Sequence, residues 1–508
     1  MNHAKTLHIC GTGSGVGKSV IVSALCRILL QDGYRVCPFK AQNMALNSFV
    51  TKEGGEIGRA QAFQAEACRI EPHVDMNPIL MKPTADKHAQ VIVHGKPVGN
   101  MSALRYVSHK KRLSKEVFNS FDRLSKKYEL IVMEGAGSPA EINLKSHDIV
   151  NLKMARYAAA PVILVGDIDK GGVFAWLVGT LELLEREERK QIKGFIINKF
   201  RGDAKLLKPG IDFLEKRTGI KVLGIIPYFH PSGRNSIKIS EEDSVPLDNF
   251  ESVDRPARCK LNIDVIYLPH ISNFTDFDAL EREPDVNLRY IKSPESLNRA
   301  DIIIIPGTKN TTSDLRYLKE AGFAEKISSV MGNDKTAVLI GICGGFQILG
   351  TRIRDQHRIE SRQKETNGLG ILEMETVFGK DKVLSQVKAK EASSGLEVSG
   401  YEIHHGKSRN IRTYMPAFNI IERKGKVARD ADGIVAMTGR IYGTYIHGIF
   451  DADTFRRNFL NRIRLKKGWN VLSNKASFNP DRELDKLANL VRKNMDMKYL
   501  YSVLKNGV

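Results

Sequence analysis

Short apolar runs, separated by longer segments of helical periodicity, recur along the chain as far as residue 230. A run of this kind, bounded by turn residues, is typical of a strand buried in a parallel sheet. The runs lie at 7–10, 34–39, 128–133, 161–166, 194–197 and 222–226. Helices are predicted between them, including one at 173–189. This alternation predicts an α/β domain with a largely parallel sheet.

A second series of strands and helices follows an irregular stretch. Residues 231–259 contain prolines, glycines and acidic residues without periodicity, and we place a linker at 236–259. Apolar runs resume at 261–268, 300–305 and 336–342, whereas the chain beyond 455 is basic and helical. We therefore predict a first domain at 1–235, a second α/β domain at 260–455 and a basic helical extension at 456–508.

Composition narrows the class of protein. A chain of 508 residues, 42% apolar and 27% charged, is expected to form two or three globular domains. It contains no run near the ~20 apolar residues that a membrane span needs, and its N-terminus leads into the first strand without room for a signal peptide. Six cysteines without paired spacing argue against disulfides or a zinc site. We expect a cytoplasmic protein that does not associate with membranes.

The formal net charge of +20 suits a polyanionic partner, which could be nucleic acid, a membrane surface or an anionic small molecule. The basic residues are spread along the chain in short clusters. No helix-turn-helix, zinc-finger or aromatic-basic RNA motif accompanies them. We therefore expect attraction for anionic small ligands and no nucleic-acid partner.

The segment 11–19, which reads GTGSGVGKS, lies between a predicted strand and a predicted helix. Such a turn aims backbone N–H groups at an anion, the helix dipole adds to the attraction, and the lysine reaches the outer phosphates. The strict phosphate-loop spacing requires glycine at position 12, where this chain has threonine and carries the glycine one residue earlier. We predict a nucleotide site formed by Gly11, Thr12, Gly13, Gly15, Gly17, Lys18 and Ser19.

Polar residues follow the second predicted strand. Lys40, Gln42 and Asn43 stand where that strand ends, and the ligands of open parallel sheets gather at the carboxyl ends of the strands. Because an ammonium group and side-chain amides suit carboxylates and phosphates, we predict that these three residues bind an acidic substrate. The alternative is a polar turn with a helix cap.

Two further strand ends carry carboxylates. Glu134 ends the run at 128–133, a position from which it could hold Mg²⁺ together with the Ser19 hydroxyl. A buried structural glutamate is the alternative. Asp167 and Asp169, after the run at 161–166, could serve a metal or a substrate, or form a plain polar turn.

The apolar run at 336–342 stops at Cys343, which is flanked by glycines and followed at once by a predicted helix. This is the cysteine form of a nucleophile elbow, in which a tight turn exposes the sulfur and the helix N-terminus favours the thiolate. Backbone N–H groups at Gly344 and near Gly307 are candidates for stabilising an oxyanion. The alternative is a buried cysteine that serves only as a small apolar residue.

A thiol nucleophile requires a base. His447 lies in the segment YGTYIHGIF, on a predicted strand and turn rich in glycine and aromatic residues. His404 and His405 compete for the same role. We favour His447 as the base and assign His404 to shaping the site.

The motifs at these centres, taken in order, resemble those of a known family. The phosphate loop is similar to that of the dethiobiotin-synthetase branch, which shares the displaced glycine. The C-terminal half is similar to class I glutamine amidotransferases of the cobyrinate type. Over almost its whole length the chain resembles the cobyric acid synthase family, in the segments FKAQNMALNS, MEGAGSPAEINL, GDIDKGGVFA, NKFRGD, PGTKNT, GICGGFQILG, YEIHHG and YGTYIHGIF.

The resemblance implies a flavodoxin-like second domain and a specific reaction. The b, d, e and g carboxylates of a corrin, adenosylcobyrinic acid a,c-diamide, would be amidated with ATP, Mg²⁺ and L-glutamine. Cys343 and His447 would release the ammonia, and Asn198 would lie near the adenine ring. Ordinary class I members carry a glutamate two residues after the histidine, whereas Gly448 and Ile449 follow His447. The cobyrinate type also lacks that glutamate, which leaves the third member of the Cys–His constellation undefined.

Other functions are compatible with some of these motifs. A cobyrinate a,c-diamide synthase would combine the same two domains and amidate other carboxylates, and a related amidotransferase could act on another acid. A non-enzymatic partitioning-type ATPase would use the phosphate loop but give no role to Cys343. The stretch QNMALNS and the length of the segment after it favour the b, d, e and g reaction.

Overall fold

The computed structural model describes residues 4–85, 88–229, 237, 260–361, 363–474 and 479–507. The chain divides into two compact units. The first comprises Met1–Ala45, Gly55–Val245 and Asn479–Val508, and the second comprises Leu46–Gly54 and Pro246–Phe478. Apart from residue 237, the predicted linker at 236–259 lies outside the described residues.

The strands and helices are numbered along the chain. The strands are β1 Lys5–Gly11, β2 Val36–Phe39, β3 Gln42–Met44, β4 Ser48–Val50, β5 Glu56–Gly58, β6 Ile79–Ala85, β7 His88–Val93, β8 Lys96–Ser102, β9 Leu130–Glu134, β10 Val162–Asp167, β11 Ile192–Phe200, β12 Val222–Pro227, β13 Leu261–Ile266, β14 Val286–Ile291, β15 Ile302–Ile305, β16 Val338–Ile342, β17 Arg352–Arg354, β18 Glu365–Asn367, β19 Met374–Glu391, β20 Glu397–Asn410, β21 Phe418–Arg423, β22 Lys426–Asp432, β23 Ile434–Ala436, β24 Ile441–Thr444 and β25 Ile446–His447. The helices are α1 Lys18–Gln31, α2 Arg59–Ala67, α3 Ala103–Lys127, α4 Leu152–Tyr157, α5 Val173–Glu182, α6 Arg186–Gln191, α7 Lys208–Thr218, α8 Asp278–Glu281, α9 Thr311–Glu320, α10 Phe323–Asn333, α11 Gly344–Leu349, α12 Asp453–Lys466, α13 Pro480–Lys493 and α14 Met497–Asn506.

The first unit is built on a parallel sheet with the strand order β12-β11-β10-β1-β9-β2. Successive residues of its strands face opposite sides: Leu130 and Val132 pack into the core that contains α1, and Ile131 and Met133 pack into the other core. Both faces are therefore covered, which explains why these strands are continuous apolar runs. The unit also contains a smaller sheet with the order β3-β6-β7-β8.

The second unit has a sheet with the order β14-β13-β15-β16-β24-β23, parallel except for the pair of β23 with β24. Ile302 and Ile304 face one core, and Ile303 and Ile305 face the other. A further sheet, with the order β18-β17-β19-β20-β25, contains the long antiparallel hairpin of β19 and β20. The predicted α/β class with two domains is confirmed, whereas the hairpin was not predicted.

The residues of the predicted C-terminal extension at 456–508 are divided between the two units. Phe455 and Phe459 of α12 lie in a core of the second unit. Leu487 and Val491 of α13 pack with α1 in the first unit, and Arg27 of α1 meets the Asp481 carboxylate at 2.5 Å. The two parts separate because their apolar faces are buried in different cores.

The helix predicted at 173–189 is interrupted. α5 ends at Glu182, and α6 begins at Arg186 with a capping box, in which the Glu185 backbone N–H donates to the Glu188 carboxylate at 3.0 Å. A local hydrogen bond of this kind starts a new helix where continuous periodicity predicts one helix. None of the helices within the described ranges is both long and apolar enough to cross a membrane.

Candidate active sites

The phosphate loop leads from β1 into α1, which begins at Lys18. Gly15 and Gly17 have φ angles of 74° and 90°, in the left-handed region that favours glycine. A Cβ atom at position 17 would also lie 2.2 Å from Nδ2 of Asn198. The Lys18 ammonium donates to the Gly13 carbonyl at 2.7 Å, so the lysine lies over the backbone of the loop.

The displaced glycine of the loop has a structural reason. A Cβ atom on Gly11 would lie 2.6 Å from Cγ2 of Val16, so the loop folds tightly over position 11. The backbone N–H of Thr12 donates to the Val165 carbonyl at 2.9 Å, which continues the pairing of β1 with β10 by one residue. Position 12 therefore accepts a side chain, whereas position 11 does not.

Asn198 supports the loop from β11. Its Nδ2 donates to the Val16 carbonyl at 2.9 Å, and Nζ of the adjacent Lys199 donates to the Gly15 carbonyl at 2.8 Å. A cleft beside these contacts is lined by Gly17, Val20, Asn198, Lys199, Pro227, Tyr228 and Phe229.

Glu134 is buried at the end of β9, where three side chains donate to it. Its Oε1 accepts from Ser19 Oγ at 2.8 Å and from Lys40 Nζ at 2.7 Å, and its Oε2 accepts from Gln64 Nε2 at 2.5 Å. Burial opposes ionisation, but the Lys40 charge and the three hydrogen bonds hold the pKa of Glu134 below its usual value. The carboxylate is therefore ionised beside the first turn of α1. Gln64, on α2, was not predicted, because no motif marks it.

The three residues predicted to bind an acidic substrate have partners within the first unit. Lys40 is held by Glu134, Asn43 Nδ2 donates to Gln61 Oε1 at 2.9 Å, and Gln42 accepts from the Tyr106 hydroxyl. Lys40 thus links the end of β2 to the Glu134–Ser19 pair. Binding of a substrate acid by these residues stays a prediction.

Asp167, the last residue of β10, and Asp169 both lie close to basic side chains. Asp167 accepts from the backbone N–H of Asp169 at 2.9 Å and lies 3.5 Å from Lys199 Nζ. Asp169 accepts from Arg201 Nε at 2.7 Å. Within the described part of the chain, no group of three or more His, Cys, Asp or Glu side chains is arranged to hold a metal ion. A role of these two aspartates in metal or substrate binding stays a prediction.

Cys343 stands between β16 and α11 with φ of 53° and ψ of −108°, a strained conformation for a residue with a side chain. Its backbone N–H donates to the Thr444 carbonyl at 2.8 Å, and its Sγ contacts the Ile403 carbonyl at 3.3 Å. A Cβ atom on Gly345 would lie 2.0 Å from the Ile305 carbonyl oxygen, so glycine is required at this position, two residues after the cysteine. This is the geometry expected of a nucleophile elbow.

His447 lies between Cys343 and a carboxylate that was not predicted. Its Nδ1 is 2.6 Å from Asp276 Oδ2, and the backbone N–H of Gly448 donates to Asp276 Oδ1 at 3.0 Å. Burial lowers the pKa of His447, but the Asp276 charge and the hydrogen bonds with Asp276 and Cys343 outweigh burial and raise it to about 10. The three side chains form a Cys–His–Asp arrangement. Asp276 belongs to the short turn Phe274–Phe277, which is far from His447 in sequence. No motif in the neighbouring sequence indicates a catalytic role for it.

The remaining predicted residues border the same centre. A Cβ atom on Gly307 would lie 2.9 Å from Cε1 of His447, and Gly344 follows Cys343 directly. His404 donates from Nδ1 to the Gly406 carbonyl at 2.6 Å, and its ring stacks on Tyr445. The imidazole that forms a hydrogen bond with the Cys343 thiol is that of His447.

Two family models match the chain, one in each predicted domain. Residues 7–237 match the model described as the CobQ/CobB/MinD/ParA nucleotide binding domain. Residues 262–455 match the model described as the CobB/CobQ-like glutamine amidotransferase domain. The first range contains the phosphate loop and Glu134, and the second contains Cys343, His447 and Asp276.

Curated relatives align over nearly the full length. A protein of Dehalococcoides mccartyi named cobyric acid synthase is 50% identical, over 99% of this chain and 100% of its own. Proteins with the same name from Syntrophobacter fumaroxidans and Clostridium botulinum are each 47% identical. These alignments cover 99% of both chains for the former and 98% of both chains for the latter.

Proposed function

The chain belongs to the cobyric acid synthase family, and from that premise we propose that it amidates the b, d, e and g carboxylates of adenosylcobyrinic acid a,c-diamide. It is an ATP-dependent ligase that uses glutamine as the source of nitrogen. The corrin acid and L-glutamine are its proposed substrates. A cytoplasmic location belongs to the same proposal, since a free thiol nucleophile persists in a reducing compartment.

One observation carries the proposal: the Cys343–His447–Asp276 arrangement occurs in a chain that also holds a phosphate loop. The thiol centre suits hydrolysis of an amide, and the loop suits the transfer of a phosphoryl group. An enzyme that only hydrolysed glutamine would need no nucleotide. An enzyme that only used ATP would need no Cys–His–Asp centre.

The phosphate loop serves the activation of the acid. A carboxylate reacts poorly with ammonia because oxide is a very poor leaving group. When the γ-phosphoryl group of ATP moves to a carboxylate oxygen, the resulting acyl phosphate can lose phosphate as ammonia attacks the carbonyl carbon. Lys18 and the loop N–H groups neutralise the charge on the phosphoryl oxygens in this transfer. Asn198 is the residue proposed to lie near the adenine ring.

The residues beside the loop fit Mg²⁺. The Ser19 hydroxyl and the Glu134 carboxylate are oxygen donors 2.8 Å apart, and magnesium sites commonly combine one or two carboxylates with substrate phosphates and water. When bound, Mg²⁺ would offset negative charge on the phosphates of ATP. Lys40 contacts Glu134, and we propose that it also binds the substrate carboxylate that accepts the phosphoryl group.

The thiol centre serves the release of ammonia. Free ammonia is mostly protonated near neutral pH and is then not a nucleophile. The Cys343 thiolate attacks the side-chain amide of glutamine, and the His447 imidazolium donates a proton to the departing ammonia. Water then hydrolyses the thioester, with His447 as the base, and glutamate leaves. Backbone N–H groups at Gly344 and Gly307 are the proposed donors to the oxyanion.

The choice of acceptor tests the proposal. The purified chain is incubated with ATP, Mg²⁺ and glutamine, and with either adenosylcobyrinic acid a,c-diamide or the acid without amides. Mass spectrometry follows the amides that form on each corrin. We expect complete conversion of the a,c-diamide to the acid that carries amides at b, d, e and g. Turnover of the unamidated acid alone would assign the chain to a,c-diamide formation.

A further inference from the structure

The segment Leu46–Gly54 belongs to the second unit, although both flanking parts of the chain belong to the first. The chain leaves the first unit shortly after Lys40 and Asn43, and it returns before β5. Within the second unit the segment contains β4 and contributes Val50 to a small apolar cluster with Leu384, Tyr401 and Ile403. The second unit is therefore completed by residues that stand far from the rest of it in sequence.

Two asparagines join this segment to the turn that carries Asp276. Asn47 Oδ1 accepts from the backbone N–H of Phe274 at 3.2 Å, and Asn273 Oδ1 accepts from the backbone N–H of Ser48 at 3.0 Å. Asn47 is 1% exposed and Asn273 is 3% exposed, so water does not replace either bond. Asn273 has φ of 55°, a left-handed conformation that asparagine tolerates better than most residues. The two bonds fix the start of the turn Phe274–Phe277.

The same segment packs on the strand that borders both reactive side chains. The ring of Phe49 lies 5.5 Å from that of Tyr401, which in turn stacks on the His447 imidazole at 5.3 Å. Val50 packs with Ile403, whose carbonyl contacts the Cys343 thiol. Gln386 also holds the segment, since its Nε2 donates to the Val50 carbonyl at 2.9 Å.

We propose that Asn47 and Phe49 are positioning residues for glutamine hydrolysis, acting through the Asp276 turn and through Tyr401. Asn47 and Asn273 hold the turn so that the Asp276 carboxylate faces Nδ1 of His447. Phe49 supports the ring on which His447 stacks. The segment belongs to the second unit, although in sequence it follows directly on residues of the first unit. This inference rests on the proposed role of Cys343 and His447.

Four variants of the full chain test it: Asn47→Ala, Phe49→Ala, Phe49→Tyr and Lys52→Ala. Phe49→Tyr keeps the ring and is the conservative variant, and Lys52, an exposed residue of the same segment, is the matched control. Release of glutamate from glutamine measures the thiol centre. Amidation with ammonium chloride in place of glutamine measures the first unit in the same preparation.

We expect kcat/KM for glutamine to fall about tenfold to a hundredfold in Asn47→Ala and Phe49→Ala, since small displacements of catalytic groups have effects of this size. Phe49→Tyr and Lys52→Ala should stay near the wild type, and amidation with ammonium should be unchanged in all four. In Asn47→Ala the alkaline limb of kcat/KM should move to lower pH, because Asp276 no longer holds the proton on His447. The groups that face the His447 imidazole are Asp276, the Cys343 thiol and the Tyr401 ring.

Wild-type glutamine hydrolysis and an unchanged pH profile in Asn47→Ala would overturn the inference, and so would equal losses in Phe49→Tyr and Phe49→Ala. If Asn47→Ala does not fold, Asn273→Gly takes its place. It removes the acceptor for Ser48 and keeps the left-handed backbone at no steric cost. Failure of the wild type to hydrolyse glutamine would contradict the proposed function itself, so the two failures are distinguishable.

Discussion

The Asp276 carboxylate lies 2.6 Å from Nδ1 of His447, although 170 residues separate them in the chain. Because a carboxylate can only accept, Nδ1 carries the proton and Nε2 is left for the reaction. Ordinary class I amidotransferases, which this half of the chain resembles, carry a glutamate two residues after the histidine. In this chain a turn between β13 and α8 supplies the carboxylate instead.

Replacement of Asp276 by asparagine should show how much the negative charge beside the His447 imidazole contributes to glutamine hydrolysis. Asp276→Asn keeps the size of the side chain but removes the charge that holds His447 protonated. We expect glutamine-dependent kcat/KM to fall about 10²- to 10⁴-fold, as for carboxylates that orient a catalytic imidazole. Amidation with ammonium should be retained. Retention of more than half of the glutamine-dependent rate would remove Asp276 from the site.

The pH dependence of glutamine hydrolysis follows from the same pair. The pKa of His447 is raised from 6.5 to about 10, so the imidazolium persists across the neutral range. The protonated His447 side chain contributes to the folding stability of the protein. This contribution is fully present below about pH 6.5 and is lost as pH rises through about 10. We expect the alkaline limb of kcat/KM for glutamine near pH 10 in the wild type and at lower pH in Asp276→Asn. A limb near the ordinary histidine value in both proteins would contradict the assignment.

The use of glutamine as the nitrogen donor should require the Cys343 thiol. Cys343→Ala removes the sulfur and leaves the phosphate loop untouched, so glutamine should support no amidation while ammonium supports it at the wild-type rate. Product formation from each donor is measured with saturating ATP and corrin acid. A partitioning-type ATPase would hydrolyse ATP identically with and without the thiol and would form no amide from either donor.

Loss of the Glu134 charge should impair the ATP-dependent half of the reaction. In Glu134→Gln the buried Lys40 ammonium and the Ser19 hydroxyl both lose their contact with the Glu134 carboxylate. We expect amidation with ammonium to fall about a hundredfold or more and to require more Mg²⁺. Glu187→Gln, which changes an exposed carboxylate in the same way, is the matched control. Equal Mg²⁺ dependence in both variants would exclude Glu134 from the metal site.

Helix α13 should stabilise the first unit. Leu487 of α13 is fully buried in the core that contains α1, and its truncation to alanine should cost about 2–5 kcal/mol. Chemical denaturation followed by circular dichroism measures the loss. Lys486→Ala, on the exposed side of the same helix, should change stability by less than about 0.5 kcal/mol. A loss below about 1 kcal/mol in Leu487→Ala would mean that α13 is not part of this core.

The sequence predicted those features of the structure that depend on residues close together in the chain. Apolar runs mark the strands of the parallel sheet in the first unit and strands β13, β15 and β16 in the second. The phosphate loop is marked by its glycines, and Cys343 by the small residues around it. Asp276 was missed because its role arises from tertiary contact, and nothing near it in sequence differs from an ordinary polar turn. The hairpin of β19 and β20 was missed because polar residues interrupt its apolar positions. The placement of residues 46–54 in the second unit likewise depends on contacts with Asn273 and Tyr401.

The transfer of nitrogen from glutamine to the corrin is the most direct test of the proposed function. Glutamine labelled with nitrogen-15 in its side-chain amide is supplied with ATP, Mg²⁺ and adenosylcobyrinic acid a,c-diamide, and the product is analysed by mass spectrometry. We predict one nitrogen-15 at each of the b, d, e and g positions, and no label when Cys343→Ala is given labelled glutamine with unlabelled ammonium. A corrin that remains unamidated, or that acquires amides without the label in the wild type, would contradict the proposal.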